Sequence, residues 1–304
     1  MIMKRILILL AVALLTFAAY AQSERYEQRY DMLVSKLGYD GVGVETLLDN
    51  WEKADSTNAK MLLGRFNYYF TKSQSGQIVA KPTKKYLGMD PLFTLKDTTG
   101  VDIFYYQDIQ YDDDLYGKAI KAADKAIGIY PEKLDFRFVK ANAYIAYEKH
   151  SPDMALAYLL SIVEESRTRK VWLYGEEQAD QKFFSEAMLE YCYSFYSIGT
   201  PAGMDAFLAL SEKMSEIDPK NPVFINNIGS YYLVGKQDYK TALKYYNKVL
   251  KSYPEDYTAI KNCVIAARKQ NNTKLEKKYL KLLVEHGTEA DKLSAKARLM
   301  QLGK

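Results

Sequence analysis

Two stretches of this chain repeat one spacing: a small residue, further positions four and seven residues on, and a proline at the twelfth. They read Ala119, Ala123, Ala126, Pro131 and Ala242, Tyr246, Val249, Pro254. Steps of four and three keep side chains on one helix face, and proline cannot continue a helix, so each stretch predicts a helix of about three turns with a close-packing stripe. Such a stripe is stable only when a neighbouring helix covers it. Its recurrence therefore predicts helical hairpins stacked on one another, an architecture in which each unit borrows apolar surface from the next.

The clearer copy predicts both helices of its hairpin. From Pro222 to Val234, Ile225, Ile228, Tyr231 and Tyr232 recur at helical spacing, with Gly229 where the companion helix must come close. Gly235 to Gln237 breaks the pattern, and Asp238 opens a second helix through Tyr239, Ala242, Tyr246, Val249 and Leu250. These residues resemble the tetratricopeptide repeat (TPR), a hairpin of ~34 residues with a large residue, Leu-Gly, Tyr, Ala, an aromatic and Pro at fixed offsets. Ile225, Ile228-Gly229, Tyr232, Ala242, Tyr246 and Pro254 occupy those offsets, with one extra residue in the turn and Ile225 in place of the usual Trp. The resemblance implies an all-α fold, a right-handed α-α superhelix or TPR-like solenoid.

Degenerate copies extend the register in both directions. Phe184 to Ser197 pairs with Ala202 to Ile217, Phe136 to Lys149 with Pro152 to Glu165, and Tyr257 to Lys269 with Thr273 to Glu285. The earliest hairpin is interrupted. Asn58 to Phe70, with Leu63-Gly64, reads as its first helix and Leu115 to Tyr130 as its second, and the insertion 71–113 between them does not read as helix. Phe93-Thr94-Leu95 and Val101 to Phe104, parted by Asp97 to Gly100, predict a short β-hairpin. An excursion of this length within a repeat is commonly functional, and the expectation is that it flanks or partly covers the groove at the N-terminal end. Helices at Glu24 to Leu37 and Val44 to Trp51 are expected to cap the N-terminal end (22–56), ahead of the repeats (57–287). A last helix from Thr288 to Leu302, N-capped by Thr288 and with Lys292, Lys296 and Arg298 on a polar face, is expected to cap the other (288–304).

Ahead of all this, Lys4 and Arg5 precede an apolar run from Ile6 to Ala19 that ends in Ala19-Tyr20-Ala21. The run is shorter than the ~20 residues that span a bilayer, and small residues stand where a leader peptidase cuts, so 1–21 reads as a signal peptide cleaved between Ala21 and Gln22. The expectation is export to the periplasm or the extracellular space, without stable membrane insertion. Losing Lys4 and Arg5 lowers the formal charge of +4 by two, a surplus too small to suggest a nucleic-acid groove. Cys192 and Cys263, the two cysteines, fall in separate predicted hairpins and are expected as buried free thiols.

Catalytic patterns are not found. No nucleophile elbow, phosphate-binding glycine loop or zinc-protease helix is present, and His150 and His286 lie far apart near predicted helix ends, where capping or a surface role suits them. Asp112-Asp113-Asp114 precedes a helix and reads as an N-terminal electrostatic cap, not a calcium loop. Asp55-Ser56-Thr57 and Asp97-Thr98-Thr99 resemble an O-glycosylation acceptor pattern of some bacterial envelopes and are also ordinary turn chemistry. No cofactor and no metal are expected.

The 27 tyrosines are the compositional oddity, and most belong at core spacing. In TPR proteins the first helix of each hairpin lines the inner face through its second, fifth, ninth, twelfth and thirteenth positions. The resemblance places Tyr68, Tyr69, Phe138, Asn142, Tyr193, Tyr196, Asn226 and Ser230 on that face, together with Arg65, Lys261 and Arg268. The Lys/Asn/Arg set with which some relatives grip a C-terminal carboxylate is not reproduced. The reading is a non-catalytic scaffold that binds a protein or peptide partner, with Asn142 and Asn226 holding its backbone. The alternatives are a glycan or small-molecule binder, and an all-helical hydrolase with two carboxylates, one of raised pKa.

Overall fold

A computed structural model of the chain describes residues 22–169 and 171–303. The expected signal segment, 1–21, lies outside the described residues. Thirteen α-helices dominate the described chain, with two small antiparallel sheets. The chain divides into two compact units, residues 22–84, 90–147 and 171–178 forming the first and residues 85–89, 148–169 and 179–303 the second.

The first unit is built from α1 (22–37), α2 (Val44–Ala54), α3 (Ala59–Lys72), α4 (Asp113–Ile129) and α5 (Leu134–Glu148). Trp51 is fully buried, with Tyr26 and Tyr30 rings against it at 6.3 and 6.0 Å and Leu47, Leu48, Met61 and Leu62 around it. Gly64 is glycine for a steric reason, since a Cβ there would stand 2.9 Å from Tyr30 Cζ. Helices α3 and α4 pack together although the insertion separates them in sequence, as the interrupted hairpin predicts. Asn58 caps α3 by accepting from Met61 N at 3.0 Å, and Asp112 caps α4 by accepting from Leu115 N at 2.9 Å. The acidic run is therefore a helix start.

The insertion is larger in β-structure than its sequence suggests. The predicted hairpin is present as β2 (Phe93–Lys96) and β3 (Asp102–Tyr111), but β3 runs to the start of α4 and is the centre of a three-stranded sheet whose other edge is β1 (Gln74–Lys81). Register pairs Gln74 with Tyr111 and Lys81 with Phe104 on one side, and Phe93 with Tyr105 on the other. Strand β1 was not anticipated because Gln-Ser-Gly-Gln carries no alternating apolar pattern. Its pairing partner imposes the strand. In the turn, Asp97 Oδ1 accepts from Thr99 N, Thr99 Oγ1 and Val101 N at 2.8, 2.7 and 2.9 Å, and Asp55 Oδ1 accepts likewise from Thr57 N and Oγ1. A second hairpin, β4 (Trp172–Tyr174) with β5 (Glu177–Ala179), had no sequence expectation. Trp172 is buried under Arg137, whose guanidinium lies 4.9 Å from the ring centroid.

The second unit contains α6 (Asp153–Ser166), α7 (Gln181–Ile198), α8 (Pro201–Ile217), α9 (Pro222–Ser230), α10 (Tyr239–Ser252), α11 (Tyr257–Lys269), α12 (Thr273–His286) and α13 (Glu289–Gly303). From α7 onward each helix packs on the next in chain order. Ala242, Tyr246, Val249, Ala259, Ile260, Cys263, Tyr279 and Leu280 share one core. Gly229 again has a steric reason, because a Cβ there would stand 2.6 Å from Tyr246 Cε1.

The first helix of this hairpin does not end at Ser230. Tyr231–Gly235 forms a π-helical turn, with Lys236 N bonding to Tyr231 O at 3.1 Å, a step of five residues in place of four. Thr288 caps α13 as expected, its hydroxyl accepting from Asp291 N at 3.2 Å. Arg298 departs from the expected solvent face. Its Nε reaches the carboxylate of buried Glu276 at 2.9 Å, which Arg268 also meets at 2.8 Å. Both cysteines are buried and free, as expected.

Candidate functional site

The second unit carries a cleft of about 390 Å³ between α7, α8, α9 with its π-turn, and α11. Helix α7 supplies Tyr193 and Tyr196 because its buried stripe, Phe184, Met188, Tyr191, Cys192 and Phe195, faces the helices packed against it and leaves these two rings outward. Tyr193 is 67 % exposed, and Tyr196 is held edge-on to Phe207 with ring centroids 5.4 Å apart. Across from them stand Asn227, Ser230, Leu233 and Val234, with Asn262 from α11 completing the wall. The π-turn contributes Leu233 and Val234, so the local widening of the helix shapes the cleft itself.

The polar groups of the wall are neutral and locally anchored. Ser230 Oγ donates to Asn226 O at 2.9 Å and lies 3.1 Å from Tyr246 Oη. Burial raises the Tyr246 phenol above its ordinary range, and hydrogen bonds with Ser230 and Asn262 offset only part of this. Burial likewise pushes the Cys192 thiol up to about 12, against the weaker opposing effect of hydrogen bonds with Ser211 and Asn227. A thiol in that state is no nucleophile at neutral pH. Neither histidine lines the cleft: His150 is exposed in the turn after α5, beside the Tyr86 ring at 5.6 Å, and His286 ends α12. Among the described residues no cluster of His, Cys, Asp and Glu could hold a metal ion.

Of the eight residues expected on the inner face, Tyr193, Tyr196 and Ser230 come together around this cleft. Asn226 belongs to the same unit but is only 4 % exposed, and its Nδ2 donates to Asp256 Oδ1 at 3.1 Å. The amide that faces the cleft is its neighbour Asn227. Counted from Pro222, the second, ninth, twelfth and thirteenth positions, Val223, Ser230, Leu233 and Val234, all line the cleft, whereas the fifth, Asn226, turns into the core. Asn227 and Asn262 were missed by sequence reasoning. The signal that could have found Asn227 is the side-chain need of Asp256, which caps α11 through Ala259 N at 2.8 Å and takes Asn226 as its second donor.

The other four belong to the first unit. Tyr68 is buried, donating to Glu45 at 2.7 Å and accepting from Lys72 at 2.5 Å. Its phenol is raised chiefly by burial, while its hydrogen bond is the main cause that holds Glu45 below the usual carboxylate range. Tyr69 is half-buried against Tyr68, with Arg65 and Lys118 over its ring at 6.0 and 5.7 Å. Phe138 is half-buried and lies 6.2 Å from Tyr174, and Asn142 is exposed. The three expected cations are engaged within the fold, Arg65 with Asp49 and Glu52, Lys261 with Asp291, and Arg268 with Glu276.

Residues 85–89 of the insertion belong to the second unit. There Gly88, at φ 79°, sits on the end of α7, where a Cβ would stand 2.7 Å from Ser197 O. Residues 85–89 thus bear on the helix that carries Tyr193 and Tyr196. Among the described residues no helix is long and apolar enough to cross a membrane. No family model matches the chain, and no curated protein matches it.

Proposed function

We propose that this chain is an exported, non-catalytic helical-repeat scaffold of tetratricopeptide type, a right-handed solenoid that holds a protein or peptide segment against the cleft of its second unit. The observation that carries the reading is the composition of that cleft. Two outward tyrosines, Phe207 and the aliphatic pair Leu233 and Val234 give apolar area, and Asn227, Ser230 and Asn262 give neutral amide and hydroxyl groups. Rigid aromatic rings contribute contact area at low conformational cost, and an amide can pair with a peptide backbone while indifferent to its side chains. The cleft falls within the ~300–1,000 Å³ typical of ligand sites. Its lining has no carboxylate, imidazole, amine or thiol, which favours holding over turnover.

The glycan alternative is the weaker reading, because Trp51 and Trp172 are both buried and leave only tyrosine and phenylalanine to stack on a sugar face. The test is selection of peptides from a displayed library on the chain 22–304, followed by titration against Tyr193→Ala and Asn227→Ala. Selected peptides are expected to bind about tenfold more weakly to each variant, the value of a lost aromatic or amide contact. Undiminished binding by both variants rejects the cleft. Binding of a glycan array that Tyr193→Ala abolishes, with no peptide selected, establishes the alternative.

A further inference from the structure

Charge is distributed unevenly along this chain. Between Lys220 and Gly303 there are sixteen Lys and Arg residues against seven Asp and Glu, a concentration that the small overall surplus conceals. Much of it lies on two helices. Helix α12 carries Lys274, Lys277, Lys278 and Lys281, which together with Leu275 and Leu282 line a groove of about 610 Å³. Helix α10 carries Lys240, Lys244, Lys248 and Lys251, all exposed. Tyr279 Oη donates to Asn247 Oδ1 at 2.9 Å, which fixes α12 beside α10.

The lysines of α10 step by three or four residues and those of α12 stand at the first, fourth, fifth and eighth positions of one run, so each set forms one stripe, spanning about 10 Å on α12 and about 16 Å on α10. Ordinary solvated faces intersperse both signs, as at Lys213 of α8, which pairs with Glu164 at 2.6 Å. These stripes do not. Helix α10 contains no carboxylate, and in α12 Glu276 is buried between Arg268 and Arg298, leaving Glu285 in the last turn. Among the described residues none of the eight lysines makes an ion pair. Like charges at this spacing weaken a helix, so the arrangement opposes stability.

We propose that the α10–α12 face docks on an anionic phospholipid surface. Lysine, a hydrated point charge without arginine's bidentate fork, suits a fluid layer of headgroup phosphates better than a shaped binding partner. Protein interfaces are depleted in lysine and anchored by Trp, Tyr and Arg, whereas every tyrosine on α10 and α12 is buried or half-buried. That burial also removes the stacking platforms that single-stranded nucleic acid requires. The half-buried Leu275 and Leu282 give the lysine stems an apolar bed, and Lys278 Nζ lies 5.1 Å from the centroid of the Tyr279 ring. This surface is separate from the tyrosine cleft.

The test is co-sedimentation of the chain 22–304, free of the apolar N-terminal run, with phosphatidylcholine vesicles made with and without phosphatidylglycerol. Binding is expected only with phosphatidylglycerol, and it is expected to fall steeply with added salt. Reversing four charges, in Lys240→Glu/Lys244→Glu/Lys274→Glu/Lys278→Glu, is expected to weaken it about a hundredfold or more. The same four positions changed to Gln, with helicity checked by circular dichroism, separate lost charge from lost fold and are expected to give an intermediate affinity. Equal binding to both vesicle types, or unaltered binding by both folded variants, overturns the proposal. So does polyglutamate displacing the vesicles at equal charge, since that marks a site for acidic protein.

Discussion

Adding one methyl group at Gly229 is expected to destabilise the second unit, although alanine favours a helix more than glycine does. The new Cβ would stand 2.6, 2.9 and 3.0 Å from Tyr246 Cε1, Cζ and Cδ1, closer than non-bonded carbons approach. Tyr246 cannot swing aside without cost, because it is fully buried and its hydroxyl lies 3.1 Å from Ser230 Oγ. Overpacking of this kind costs about 1–3 kcal/mol, and the gain in helix propensity returns about 1 kcal/mol, leaving a net loss of about 1 kcal/mol. Gly117, inside α4, is the control. A Cβ there meets nothing within 4 Å, so Gly117→Ala keeps the propensity gain alone and is expected to stabilise by about 0.5–1 kcal/mol. Scanning calorimetry of the two variants should show melting points displaced in opposite directions, by about 2–4 °C per kcal/mol for units of this size. Gly229→Ala combined with Tyr246→Leu should recover part of the methyl's cost, since the obstructing ring is gone. The packing argument fails if Gly229→Ala melts at or above the native temperature, or if both alanines shift it alike.

Two further outcomes follow from buried groups. Arg298 foremost, then Arg268, hold Glu276 below the usual carboxylate range, so this carboxylate contributes stability above the ordinary Glu value near ~4.3 that is lost as pH falls through its lowered folded value. The melting-point gap between the native chain and Glu276→Gln should be widest near neutrality and close in acid, and a constant gap would count against it. Burial pushes both Cys192 and Cys263 up to about 12, so neither should react with a thiol reagent at pH 8 until denaturant is added, and rapid labelling of the folded chain would contradict their placement.

Helix positions were legible from periodicity alone, because a buried stripe leaves its spacing in the sequence whatever it packs against. Thus α11 has the predicted bounds, and α7, α8 and α12 extend the predicted spans by three residues or fewer at either end. Features whose cause is a partner elsewhere were not legible. Strand β1 opens on a polar stretch without alternation and owes its form to pairing with β3. The hairpin at Trp172 packs against Arg137, thirty-five positions earlier in the chain. No Pro, Gly or Ser-rich linker marks the division into two units. At the cleft, repeat register located Tyr193, Tyr196 and Ser230, yet failed by one residue at Asn226, where the amide is drawn inward by Asp256 thirty positions later.

By itself, then, the sequence determined which segments are helical, which glycines must stay small and where the interrupting insertion begins, since these follow from local spacing and steric size. Tertiary structure decided the rest: which tyrosines point outward, which asparagine of a pair meets solvent, and that α9 runs on into a π-turn at the cleft wall. Those outcomes depend on contacts between residues distant in sequence, and a one-dimensional pattern carries the period of a face without carrying what that face will meet.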